Sequence, residues 1–154
     1  MIYYYILALL FQDYSGAFTD FRNKPLEQTF VSDTQVYVVL NSLFCRECVY
    51  KIDKFLADYD DIAYFSVSEK ADILGNKQTI AALEKLCKPD AFLFRSRETK
   101  SKEFDKLLNS HKSPLIIVIK HNYFYFYNYH QLFSPEGDFI GSEKMSTLLG
   151  KRRY

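Results

Sequence analysis

A chain of 154 residues is long enough to bury one core without disulfide staples and short for two ordinary domains. With 20 Lys and Arg against 19 Asp and Glu, its net charge of +1 gives no broad field for a polyanion, and this argues against nucleic acid as the partner. Three cysteines do not make a disulfide framework, and an aromatic content of 18% carried by Tyr and Phe points to a filled, strand-containing core.

Residues 1–11, Met-Ile-Tyr-Tyr-Tyr-Ile-Leu-Ala-Leu-Leu-Phe, form an apolar run shorter than the about 20 residues a membrane-spanning helix needs. The run has no basic n-region, no convincing A-x-A site follows it, and no cysteine stands near for a lipid anchor. Two readings stay open: the remnant of an export signal or membrane anchor, which is the preferred one, or an element packed on the core. Residues 1–24 are therefore set apart as an apolar segment and connector, and 25–154 as the folded domain.

Gln35 to Leu40 is apolar on both faces, as expected of a central strand covered on both sides. It leads through Asn41-Ser42-Leu43-Phe44 into Cys45-Arg46-Glu47-Cys48, after which Val49, Ile52, Phe55 and Leu56 recur at helical spacing. Two cysteines separated by two residues fit the first turn of a helix and are close enough to close a small disulfide ring. There the unpaired N–H groups and the helix dipole stabilise a thiolate at Cys45, the species that attacks a disulfide, and Cys48 can resolve the product. Arg46 adds positive charge beside that thiolate and Glu47 opposes it, so these two residues are the expected tuners of the potential. A bare C-x-x-C also occurs as half of a zinc site. The further ligands would have to come from Cys87, His111, His121 and His130, which form no second close pair. No metal is expected, and Cys87 reads as a small buried apolar residue.

Tyr59-Asp60-Asp61 ends that helix, and Ile62 to Val67 is the next strand, completing a β-α-β unit. Asn76 is the expected N-cap of a helix with Ile80, Leu83, Leu86 and Cys87 on one face, stopping before Pro89. Ala91 to Phe94 is a short strand and Lys102 to Asn109 a further helix. Pro114 stands at the mouth of the strand Leu115 to Lys120, the place where a central strand tolerates proline. The two-residue His121-Asn122 connection makes Tyr123 to Tyr129 its antiparallel mate, with tyrosines on one face and Phe124 and Phe126 on the other. Phe inward and Tyr toward solvent or a covering helix is preferred to a base-stacking platform, since the strand lacks basic neighbours. Ser142 to Gly150, with a Ser cap, closes the sheet as a terminal helix.

From about Gln35 to Gly150 this order of strand, C-x-x-C at a helix start, strand, crossover helix, X-Pro, hairpin and final helix resembles the thioredoxin fold. The helix and strand between about Asn76 and Phe94 resemble the insertion of the TlpA/ResA-like exported thioredoxins. The resemblance implies an α/β three-layer sandwich with a mixed central sheet flanked by helices, and a thiol-disulfide oxidoreductase that acts on protein dithiols and disulfides. Cys45 would be its nucleophile and Cys48 its resolving thiol. It further implies a cis Ser113-Pro114 bond facing the cysteines and binding substrate together with Phe44. No cofactor is implied; the partners are thiol or disulfide proteins and an electron-donor protein, with membrane association through the N-terminal segment. The location implied is the periplasm or cell envelope, the cytoplasm being the alternative. The sequence departs from the family at Phe44 and Arg46-Glu47, where thioredoxins favour Trp and Gly-Pro, and at Val39, where they place a buried carboxylate. The missing carboxylate keeps a second class open, a non-catalytic thioredoxin-like module that holds a protein partner near Pro114 and the Tyr strand.

Overall fold

The structure is a computed structural model, and it describes residues 18–19, 32–41, 43–69, 72–95, 112–121 and 123–150. Its elements are β1 (Phe18–Thr19), β2 (Thr34–Leu40), α1 (Arg46–Leu56), β3 (Ile62–Ser68), α2 (Ile73–Leu83), β4 (Ala91–Arg95), β5 (Leu115–Lys120), β6 (Tyr123–Tyr127), α3 (Tyr129–Leu132) and α4 (Ser142–Leu149). The apolar run expected to bury both faces is central: β2 lies between β3, which is parallel to it, and β5, which is antiparallel, in a six-stranded sheet ordered β1-β4-β3-β2-β5-β6. The sheet is mixed because α1 carries the chain back to start β3 in the same direction, whereas β6 returns antiparallel to β5 after a turn at His121. His121 takes a positive φ of 50° at that turn.

Alternation along the strands sorts the core into two halves. Val36, Val38 and Leu40 of β2 and Ile116 and Val118 of β5 meet Val49, Ile52 and Leu56 of α1, Leu83 of α2, and Met145 and Leu149 of α4. Tyr37, Val39, Phe65, Val67, Leu93 and Ile117 form a second buried cluster on the opposite face, where Tyr37 stacks on Phe65 with ring centroids 4.9 Å apart. Tyr125 and Tyr127 pack on the α1–α4 side and the Tyr127 hydroxyl donates to the Lys144 carbonyl, whereas Phe126 packs on the other. The tyrosine face is thus turned toward a covering helix, with only Tyr123 strongly exposed.

Three expectations are corrected. Asn76 is not an N-cap: Asp72 is, its Oδ1 accepting the Gly75 N–H at 2.6 Å, so the helix begins four residues earlier and Asn76 lies buried inside it. The exposed Ile73 and Leu74 at this first turn break the amphipathic pattern and conceal the helix start. Strand β6 stops at Tyr127, because Asn128 and Gln131 exchange hydrogen bonds as a capping box and turn Tyr129–Leu132 into a short helix. Ser142 is the first helical residue of α4, and its N-cap is Gly141, where a Cβ would run into the Leu132 side chain. The expected helix Lys102–Asn109 and the apolar run 1–11 lie outside the described residues. The first strand nevertheless starts before residue 25, since Phe18–Thr19 pairs antiparallel with β4. No helix among the described residues is long and apolar enough to cross a membrane.

Candidate active site

The parallel strands β2 and β3 end together, Leu40 opposite Ser68, and α1 starts at this end of the sheet. Cys45 is the N-cap of α1, with extended backbone at φ −76° and ψ 111°. Its Sγ accepts the Cys48 N–H at 3.2 Å and its carbonyl accepts the Val49 N–H at 3.1 Å. The sulfur therefore occupies the place that an Asp or Ser oxygen takes at an ordinary cap, among the donors left unpaired by the first turn. Cys48 is one turn inside, 3% exposed and packed in the core, while Cys45 is partly open. The two are joined by a disulfide across a Cα–Cα distance of 5.2 Å.

Arg46 and Glu47 are both exposed at the helix start. Glu47 reaches along the helix to Lys51, Oε1 to Nζ 3.0 Å, and Lys51 also donates to the Gly137 carbonyl at 2.8 Å. Arg46 makes no ion pair among the described residues. Phe44 lies half-buried against the α1-side core, immediately before the cysteine pair.

Ser113 and Pro114 are buried at the same sheet end and joined by a cis peptide bond. Their link to the cysteine loop is direct: the Asn41 N–H donates to Ser113 Oγ at 3.2 Å, and Asn41 Oδ1 accepts the Leu43 N–H at 3.1 Å. The expected set Phe44, Cys45, Arg46, Glu47, Cys48, Ser113 and Pro114 is thus gathered at one end of the sheet. Asn41 was not foreseen; the signal available for it was the habit of Asn side chains of bonding backbone two residues on.

Val39 belongs to the apolar cluster on the face opposite α1, whereas Cys48 packs on the α1 face, so the position lacking a carboxylate is also turned away from the buried cysteine. The groups with displaced ionisation lie elsewhere. Burial raises Asp53; burial, with Asp53 beside it, pushes the Cys87 thiol up to about 11; and burial, then Cys87 and Asp53, raise Tyr64. Cys87 is 2% exposed and its thiol donates to the Leu83 carbonyl, as suits a small core residue. These three side chains line a cleft of about 410 Å³ beside the second half of α1. Among the described residues no group of three or more His, Cys, Asp or Glu is placed to hold a metal ion; His111 lies outside them.

No family model and no curated protein matches the sequence. Solved structures do match. One is a secreted Mycobacterium tuberculosis disulfide oxidoreductase homologous to E. coli DsbE, 13% identical, with a TM-score of 0.56 over 90% of this chain and 96% of that one. Another is a thioredoxin-like protein from Porphyromonas gingivalis, 12% identical, with a TM-score of 0.57 over 88% of this chain and 87% of that one. At such identities the likeness is one of architecture: the chain has the thioredoxin-like fold, a mixed central sheet flanked by helices.

Proposed function

We propose that this protein is a thiol-disulfide oxidoreductase acting on protein dithiols and disulfides, with Cys45 as nucleophile and Cys48 as resolving thiol. The observation that carries the reading is the Cys45–Cys48 disulfide at the start of α1, with the Cys45 sulfur at the N-cap and Cys48 behind it in the core. In the reducing direction the Cys45 thiolate attacks one sulfur of a substrate disulfide, forming a mixed disulfide and releasing a substrate thiolate. The Cys48 thiolate then attacks Cys45, releasing the second substrate thiolate and closing the Cys45–Cys48 bond. The two electrons have passed to the substrate, the two protons given up by Cys45 and Cys48 return to the released thiolates, and a donor protein dithiol restores the pair. Run backward, the same steps oxidise a substrate dithiol.

In this reading Ser113-Pro114 and Phe44 contact the substrate chain beside the disulfide, and Arg46 and Glu47 adjust the stability of the Cys45 thiolate. One of the similar folds is a secreted disulfide oxidoreductase; we accordingly place this protein in the cell envelope, in the manner of the TlpA/ResA-like thioredoxins, with residues 1–11 serving export or membrane association. Insulin reduction with dithiothreitol as donor tests the activity: the wild type should turn over and Cys45→Ser should be at background. Equal rates for the two proteins would leave the fold as a binding module with incidental cysteines.

A further inference from the structure

The β2–β5 ladder ends for a reason written in the sequence. Its last pair is Val39 with Leu115, and continuing that register by one and two residues would bring Leu40 to Pro114 and Asn41 to Ser113. Proline has no N–H to give, so the ladder cannot continue through it. Beyond the break one cross-strand bond is recovered by a side chain, the Asn41 N–H donating to the buried Ser113 Oγ. The Asn41 side chain then carries the connection forward by accepting the Leu43 N–H, two residues before Cys45. The result is a clip running from Ser113 through Asn41 and Leu43 toward the N-cap sulfur.

Packing does not account for this clip. Leu43, the residue it fixes, is 89% exposed and contributes nothing to the core. What the clip does fix is the backbone of Asn41 and of Leu43, two residues before Cys45, relative to the segment that begins β5.

We propose that Asn41 is a positioning residue for disulfide exchange, which with Ser113 as its anchor sets Cys45 relative to a polypeptide docked along Ser113-Pro114. The proposal rests on the oxidoreductase reading. Displacement of the leaving sulfur by the attacking one requires the three sulfurs nearly in line, and a misplacement of about 1 Å in such a geometry costs on the order of 10²-fold in rate. A small free disulfide can adjust to the loop, whereas one held in a docked chain cannot. Loss of the clip therefore penalises peptide substrates selectively.

The test compares two second-order rate constants of the reduced protein, one with insulin and one with the small aromatic disulfide 5,5′-dithiobis(2-nitrobenzoate). In Asn41→Ala the insulin-to-small-disulfide ratio should fall about 10- to 100-fold, with the equilibrium against glutathione unmoved. Asn41→Asp, which keeps an oxygen in place for the Leu43 N–H, should restore most of the ratio. Ser113→Ala should lower it as well, and the double variant should lose little more than either single one, because the two residues act in series. A wild-type ratio in Asn41→Ala and Ser113→Ala overturns the proposal while wild-type activity leaves the function standing. So does a proportional fall in both rates, which is destabilisation. A wild type that reacts with the small disulfide and not with insulin removes the proposed function and this inference together.

Discussion

Charge at the start of α1 should tune the redox pair unequally, and the inequality can be worked out from how each side chain is held. Arg46 follows Cys45 in the first turn of α1, is exposed and makes no ion pair among the described residues, so its charge is free to act on the thiolate of the reduced state. Charges at exposed helix ends are worth about 0.3 to 1 kcal/mol. For a two-electron couple about 30 mV corresponds to 1.4 kcal/mol, so Arg46→Ala should lower the potential by roughly 6 to 20 mV, making the pair more reducing. Glu47 acts in the opposite sense but from further away, since its pairing with Lys51 draws the carboxylate one turn down the helix. Glu47→Ala should therefore raise the potential by less than Arg46→Ala lowers it, below roughly 10 mV on the same scale. Equilibrating each variant with glutathione and quantifying the oxidised fraction gives the potentials, and raising salt from 0.02 M to about 0.5 M should shrink both shifts. Two shifts of the same sign, or a Glu47→Ala shift larger than that of Arg46→Ala, would refute the argument and move the tuning to packing around Phe44.

The unequal exposure of the thiols predicts that iodoacetamide modifies Cys45 of the reduced protein first, leaves Cys48 until later and spares Cys87 in the native state; mass spectrometry of the early product decides it. In Cys87 and Tyr37 the ionisable group is raised by burial to about 11 and about 12, from 9.0 and 10.0, and Tyr64 is raised too. Raised acids keep their proton in the fold, so their contribution to stability is complete below pH 9 and is lost as pH rises through 11 and 12. Urea midpoints should accordingly hold to about pH 9 and then decline, and Cys87→Ala should flatten the first part of that decline; a midpoint constant to pH 11 contradicts the assignment. The Tyr64 hydroxyl is buried without a hydrogen bond of standard length, so Tyr64→Phe should change stability by less than about 1 kcal/mol, where removal of a well-bonded hydroxyl costs more. Ile52→Ala, at a fully buried position on α1, should cost about 2 to 5 kcal/mol by urea unfolding, and a smaller loss would mean that the site collapses around the cavity.

Elements whose burial is periodic were legible in the sequence, and elements defined by a local hydrogen bond were not. β2, α1, β3 and the β5–β6 hairpin each carry an apolar pattern that forces their identity, and their observed limits lie within a residue or two of the expected ones. The Asp72 cap, the Asn128–Gln131 capping box and the Gly141 cap depend on one side chain or one close approach, and in two of the three cases a neighbouring polar residue offered an equally plausible cap. The site divides the same way. The cysteine pair, its flanking charges and the X-Pro junction are readable because their chemistry is tied to residue type and spacing. Asn41 is not, because its role depends on standing opposite Ser113 across a ladder that proline interrupts.

The distribution of displaced ionisation constants separates two kinds of argument about where chemistry occurs. Clusters of shifted groups often mark functional sites, and here the cluster is Asp53, Tyr64 and Cys87. Asp53 lies five residues beyond Cys48 on α1, a rise of about 7.5 Å toward the opposite end of the helix. Its shift, like those of Tyr64 and Cys87, has burial as the leading cause, and burial disfavours the charged form of each. A nucleophile needs the reverse, a charged form made cheap by donors and dipoles, and this chain provides that at the α1 N-terminus, where the Cys45 sulfur receives the Cys48 N–H. The sign of the shifts at Asp53, Tyr64 and Cys87, more than their presence, leaves Cys87 to the core and supports the proposed assignment of the chemistry to the disulfide.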